Sequence, residues 1–81
     1  MVLEMKFDSI EQIAEIHRLA AQADKPVYIA SADDSIRADA RSFLGMMAMD
    51  YSKPVKIVTD SLYAMRRLET QLRAREMAGV R

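Results

Sequence analysis

Apolar and polar positions alternate from the start of the chain. In VLEMKF (2–7), Leu3, Met5 and Phe7 fall on one side and Glu4 and Lys6 on the other, which predicts a half-buried strand. Asp8 and Ser9 then offer an N-cap, with Glu11 or Gln12 placed to close a capping box. From there to about Asp24 the period is that of a helix. Ile10, Ile13, Ile16 and Ala20 share one face, and Glu11, Glu15, Arg18 and Gln22 share the other. Lys25-Pro26 ends this helix, because proline disfavours the helical region at its predecessor. VYIAS (27–31) reads as a second strand and ADD (32–34) as a short turn. In SIRADA (35–40), Ile36, Ala38 and Ala40 alternate with Ser35, Arg37 and Asp39. Two strands this close in sequence predict a hairpin.

RSFLGMMAMD (41–50) predicts a short second helix with Ser42 as its N-cap. PVKIVT (54–59) is a fourth strand, and Asp60 or Ser61 caps a last helix with Leu62, Met65, Leu68 and Leu72 as its apolar stripe. The closing AGVR is expected to fray. The order β-α-β-β-α-β-α predicts an α+β domain, a four-stranded antiparallel sheet with three helices on one face. The other face would be wet, which suits Glu4, Lys6, Arg37, Asp39 and Lys56.

Composition narrows the function. At 81 residues the chain makes one domain, 1–81, with a modest core and no deep private cavity. A formal net charge of +0 gives no overall field for nucleic acid, so no direct nucleic-acid partner is expected. The C-terminal segment is locally basic (Arg66, Arg67, Arg73, Arg75 and Arg81 against Glu69 and Glu76), which fits a solvated helix face. There is no cysteine and one histidine, so neither a disulfide nor a zinc site is expected, and no cofactor. No apolar stretch approaches ~18 residues and no signal-peptide pattern opens the chain. The expectation is therefore a cytoplasmic protein without a membrane partner.

The single histidine lies in EIHRLAAQ (15–22), one position after Ile16 and four after Ile13. That places His17 at the margin of the apolar face, where a part-buried ring with one satisfied nitrogen is expected. The run Phe43, Leu44, Met46, Met47, Met49 is too apolar for one short helix to bury whole. About half of it is expected in the core, and so few turns do not show which half.

The stretch RSFLGMMAMDYSK (41–53) resembles the regulatory-serine region of HPr, the histidine-containing phosphocarrier of the bacterial sugar phosphotransferase system. It is most similar to the Gram-positive form and its regulatory branch, Crh. The shared pattern is a basic residue, serine, two apolar residues, glycine, an apolar residue and methionine. The element order matches too, and the likeness covers all but the last ten or so residues, which would form a C-terminal extension. The family's active histidine stands just before the first helix in Gly-Leu-His-x-Arg-Pro-Ala. IHRLAAQ mimics it, but only nine residues separate His17 from Val27, too few for a helix of three to four turns. Counting back from VYIAS puts Ser9 at the active-histidine position, with Glu11 where the family has its phosphate-binding arginine and Gln12 where it has proline.

These departures remove the phosphocarrier chemistry. A serine hydroxyl without an adjacent base is a poor nucleophile, and Asp8 and Glu11 repel a phosphoryl group. Ser9 is then an N-cap, and no catalytic residue or enzymatic activity is expected. What the resemblance leaves is a regulatory protein-binding domain of the Crh type. It implies Ser42 as the target of an HPr kinase, beside Arg41, although a serine N-cap also accounts for Ser42 without any kinase. It also implies that the second helix presents apolar residues to partners, here Phe43, Leu44 and Met47, with Arg41 and Ser42 at their edge. Methionine suits such an adaptable surface. Expected partners are the kinase and a transcriptional regulator or phosphotransferase-system proteins. Two alternatives stand beside this: a phosphocarrier with a non-standard acceptor, and a structural or oligomerising domain.

Overall fold

The computed structural model describes residues 1–78. The elements follow the predicted order: β1 (Val2–Met5), α1 (Ile10–Gln22), β2 (Val27–Ser31), β3 (Arg37–Asp39), α2 (Phe43–Met47), β4 (Val55–Thr59) and α3 (Leu62–Ala78). The strands form one open antiparallel sheet in the order β1-β4-β2-β3. β2 and β4 therefore occupy the centre, and the β2–β3 hairpin expected from spacing is present.

Register explains the burial. Leu3, Ile57, Ile29 and Ala38 align across the four strands, as do Glu4, Lys56, Ala30 and Arg37 one residue along. Side chains alternate between faces, so the first row meets the helices and the second faces outward. Ile29 and Ile57 are 0% exposed and join Ile13, Ile16, Leu19, Met46 and Leu68 in one core. On the outer face Lys56 pairs with Asp34 at 2.7 Å, and the Arg37 guanidinium lies 4.3 Å from the Tyr28 ring centroid.

Several sequence expectations need correction. β1 ends at Met5, although Phe7 still points into the core at 3% exposure, and β3 is only Arg37–Asp39. Ile10, Ile36 and Leu62 were all assigned to buried faces, yet they are 54%, 47% and 55% exposed. Ile10 and Leu62 are the first residues of their helices. Helical side chains lean toward the N-terminus, so a side chain at that position overhangs the end of the layer beneath. Burial starts with the next turn, at Ile13, Ile16, Leu19 and Ala20 in α1 and at Ala64, Met65 and Leu68 in α3. Ile36 lies in the hairpin turn, where its N–H donates to Ser31 Oγ at 3.0 Å and its carbonyl accepts from Ser31 N at 2.9 Å. Asp34, in the same turn, has φ 62, a left-handed conformation that aspartate tolerates better than most residues.

Serine caps open all three helices. Ser9 Oγ accepts from Gln12 N at 3.4 Å, and Gln12 Oε1 reaches back to Asp8 N at 2.8 Å, so Gln12 rather than Glu11 closes this end. Ser42 Oγ accepts from Gly45 N at 3.1 Å. At α3 the cap is Ser61, whose Oγ accepts from Ala64 N at 3.1 Å and donates to Asp24 Oδ1 at 2.5 Å. That bond holds the Asp24 carboxyl below its usual range. Of the AGVR stretch expected to fray, Ala78 ends α3, and 79–81 lie outside the described residues.

Candidate protein-interaction site

His17 sits in the middle of α1 and not at its mouth. Its Nδ1 is 2.8 Å from the Ala40 carbonyl oxygen, the geometry of an N–H donating to it, and its ring meets Phe43 edge-on at 5.4 Å. The histidine thus ties α1 to the β3–α2 connection and seats the first residue of α2. Ser9, the residue at the expected acceptor position, engages Gln12 N through its hydroxyl and has Asp8 and Glu11 as exposed neighbours. Nothing in that arrangement deprotonates the hydroxyl or gathers positive charge around it.

α2 resolves the question left open by its short apolar run. Met46 and Met49 turn inward, at 0% and 6% exposure. Phe43, Leu44 and Met47 turn outward at 37%, 85% and 42%, together on one side of a helix of five residues. Two features hold this helix down. Tyr51 donates its hydroxyl to the Met46 carbonyl at 2.5 Å and packs edge-on against Phe7 at 5.6 Å. Burial pushes the Tyr51 phenol up to about 12. At the other end a Cβ on Gly45 would come 3.1 Å from Ser42 Oγ and 3.5 Å from Ala38 Cβ, so glycine lets the first turn close on its cap and on β3.

The structure brings Arg41, Ser42, Phe43, Leu44 and Met47 onto one exposed segment. Ser42 is exposed at the cap of α2, with its N–H bonded to Asp39 O at 2.9 Å. Arg41 differs from expectation: its Nε lies 3.5 Å from the Ala20 carbonyl, so the guanidinium is engaged toward α1 and not over the Ser42 hydroxyl. Its backbone N–H takes Asp39 Oδ1 at 2.8 Å. Ile10 is a residue that the sequence reading missed. Ile10, Ala14 and His17 stand at i, i+4 and i+7 on one flank of α1, and His17 touches Phe43. The exposed Ile10 therefore continues the apolar surface of α2 along α1. Its signal was its place at the first helical position.

Among the described residues no cluster of three or more His, Cys, Asp or Glu could hold a metal ion, and no helix is long and apolar enough to cross a membrane. Compared with protein-family models, curated proteins and solved structures, the chain matches none.

Proposed function

We propose that this chain is an HPr-like domain of the Crh type, a cytoplasmic regulatory module that binds proteins through α2 and performs no catalysis. The observation that carries this reading is the outward side of α2, where Leu44 at 85% exposure, Phe43 and Met47 form an apolar surface beside the exposed Ser42 cap. Contiguous exposed apolar side chains are costly to leave in water and mark contact surfaces. The element order and the RSFLGMM motif support assignment to the HPr type, and Ser9 in place of an imidazole supports loss of the phosphocarrier step.

In this reading an HPr kinase phosphorylates Ser42, and the modified α2 face docks on a transcriptional regulator or a phosphotransferase-system protein, without direct contact with nucleic acid or membrane. The phosphate oxygens would replace the Ser42 hydroxyl as acceptors for Gly45 N, and Arg41 would have to leave Ala20 to pair with them.

Two donors test the reading. Incubation with ATP and an HPr kinase should add one phosphate, mapped to Ser42 and absent in Ser42→Ala. Incubation with phosphoenolpyruvate and enzyme I should leave the mass unchanged. A phosphoryl group taken from phosphoenolpyruvate would favour a carrier with a non-standard acceptor. Absence of label from either donor would leave only a structural or oligomerising domain.

A further inference from the structure

Unmet hydrogen-bonding capacity is concentrated in one place. Among the described residues the buried side-chain atoms without a partner are Gln71 Oε1 and Arg75 Nη2. Both residues line the groove between α1 and α3, on the opposite flank of α1 from His17 and α2. The groove consists of two clefts that share Glu15 and Gln71. One, of about 270 Å³, is walled by Arg18 and Arg67, and the other, of about 360 Å³, by Arg75. Among residues 1–75 none of these three arginines lies within ion-pair distance of a carboxylate, and the Arg75 guanidinium lies over the Phe7 ring, 5.8 Å from its centroid.

The lining specifies a ligand. Among residues 1–75 the lining sets three guanidiniums against the carboxylate of Glu15, which leaves two positive charges to match a phosphate monoester in its dianionic form. Guanidinium forks suit phosphate oxygens geometrically. Gln71 Oε1 needs a donor, which a hydroxyl supplies and a bare oxyanion does not. The two clefts lie just below and just above the lower end of the ~300–1,000 Å³ found for sites that hold drug-sized molecules.

We propose that the α1–α3 groove binds a small phosphate monoester that also carries hydroxyl groups. Its phosphate oxygens accept from Arg18, Arg67 and Arg75, and a hydroxyl donates to Gln71 Oε1 or to Glu15. The site is independent of the α2 surface and of the fate of Ser42.

The test is an NMR titration of the full chain at constant ionic strength with glycerol 3-phosphate, inorganic phosphate, glycerol and a tetraglutamate peptide. Glycerol 3-phosphate should give saturable shifts of the Gln71 side-chain amide and the Arg67 and Arg75 Nε–H signals. Inorganic phosphate should bind at least about tenfold more weakly, and glycerol should not bind. Arg67→Gln, an exposed position, should weaken glycerol 3-phosphate by about tenfold or more with the rest of the spectrum unchanged, and Gln71→Met should erase its advantage over inorganic phosphate. The proposal is overturned if no phosphate gives a saturable shift, if the peptide binds as well as glycerol 3-phosphate, or if Arg67→Gln leaves binding intact. Gln71 and Arg75 are one helical turn apart, and direct pairing of the two in the free protein would also overturn it.

Discussion

Ser61→Ala isolates a buried polar junction that ties three elements together. Ser61 is 0% exposed. Its hydroxyl caps Ala64 N and donates to Asp24 after α1, while its N–H binds Thr59 Oγ1 at 3.0 Å, which in turn donates to the Pro26 carbonyl at 2.8 Å. Removing a serine cap costs ~0.5–2 kcal/mol, and a buried position falls in the upper half because water cannot replace the lost acceptor. A loss of about 1.5 kcal/mol follows, or a fall in Tm of ~6–12 °C for a domain of this length. Urea denaturation of Ser61→Ala beside Ser9→Ala measures it. The Ser9 cap bond is longer, 3.4 Å, and lies nearer the surface, so Ser9→Ala should cost only ~0.5 kcal/mol. A carbon-detected titration of Asp24 gives a second readout: without the Ser61 hydroxyl its pKa should rise toward that of an ordinary aspartate. The reasoning is refuted if Ser61→Ala is the milder of the two, or if Asp24 titrates as before.

Other expectations follow from the same geometry. Leu44→Asp, at 85% exposure, should leave stability within ~0.5 kcal/mol while abolishing capture of the regulatory partner, and Phe43→Ala should weaken capture; retention of every partner by both variants counts against the α2 surface. Met46→Ala empties a fully buried site and should cost ~2–5 kcal/mol in urea titrations. The Tyr51 phenol is raised from 10.0 to about 12, so its contribution to stability is complete below pH 10 and is lost as pH rises from there toward 12; in Tyr51→Phe this alkaline decline should shrink. Asp33 has the opposite sign. Bonds from Ser35 and Ser31 lower its carboxyl from 3.8 to about 2, so its contribution is present above 3.8 and disappears as pH falls toward 2, an acid loss that Asp33→Asn should reduce.

Local rules made much of the architecture legible. The change from period two to period 3.6, the two Lys-Pro pairs and the capping residues at 8–9, 42 and 60–61 mark where elements start and stop, and these signals act within a few residues of chain. Helix ends were less legible. An apolar residue at the first helical position continues the stripe on a helical wheel, but whether it meets the core depends on how far the layer beneath extends. Ile10 and Leu62 overhang it, so periodicity assigned them to the wrong side.

The sequence by itself determined the element order, where each helix begins to within a residue and the placement of His17 inside a helix, because each depends on residue type and short-range spacing; the structure chose Ser9 over Asp8, Ser61 over Asp60 and Gln12 over Glu11. Only the tertiary structure decided which methionines of α2 are buried, since five helical residues are too few for periodicity to choose a side and the choice is made by Tyr51, β3 and the core beneath. It also decided where Arg41 reaches, and that Gln71 and Arg75 share a groove with Arg18, which lies about fifty residues away along the chain. Such juxtapositions arise when α1 and α3 pack on the same sheet, and no local pattern encodes them.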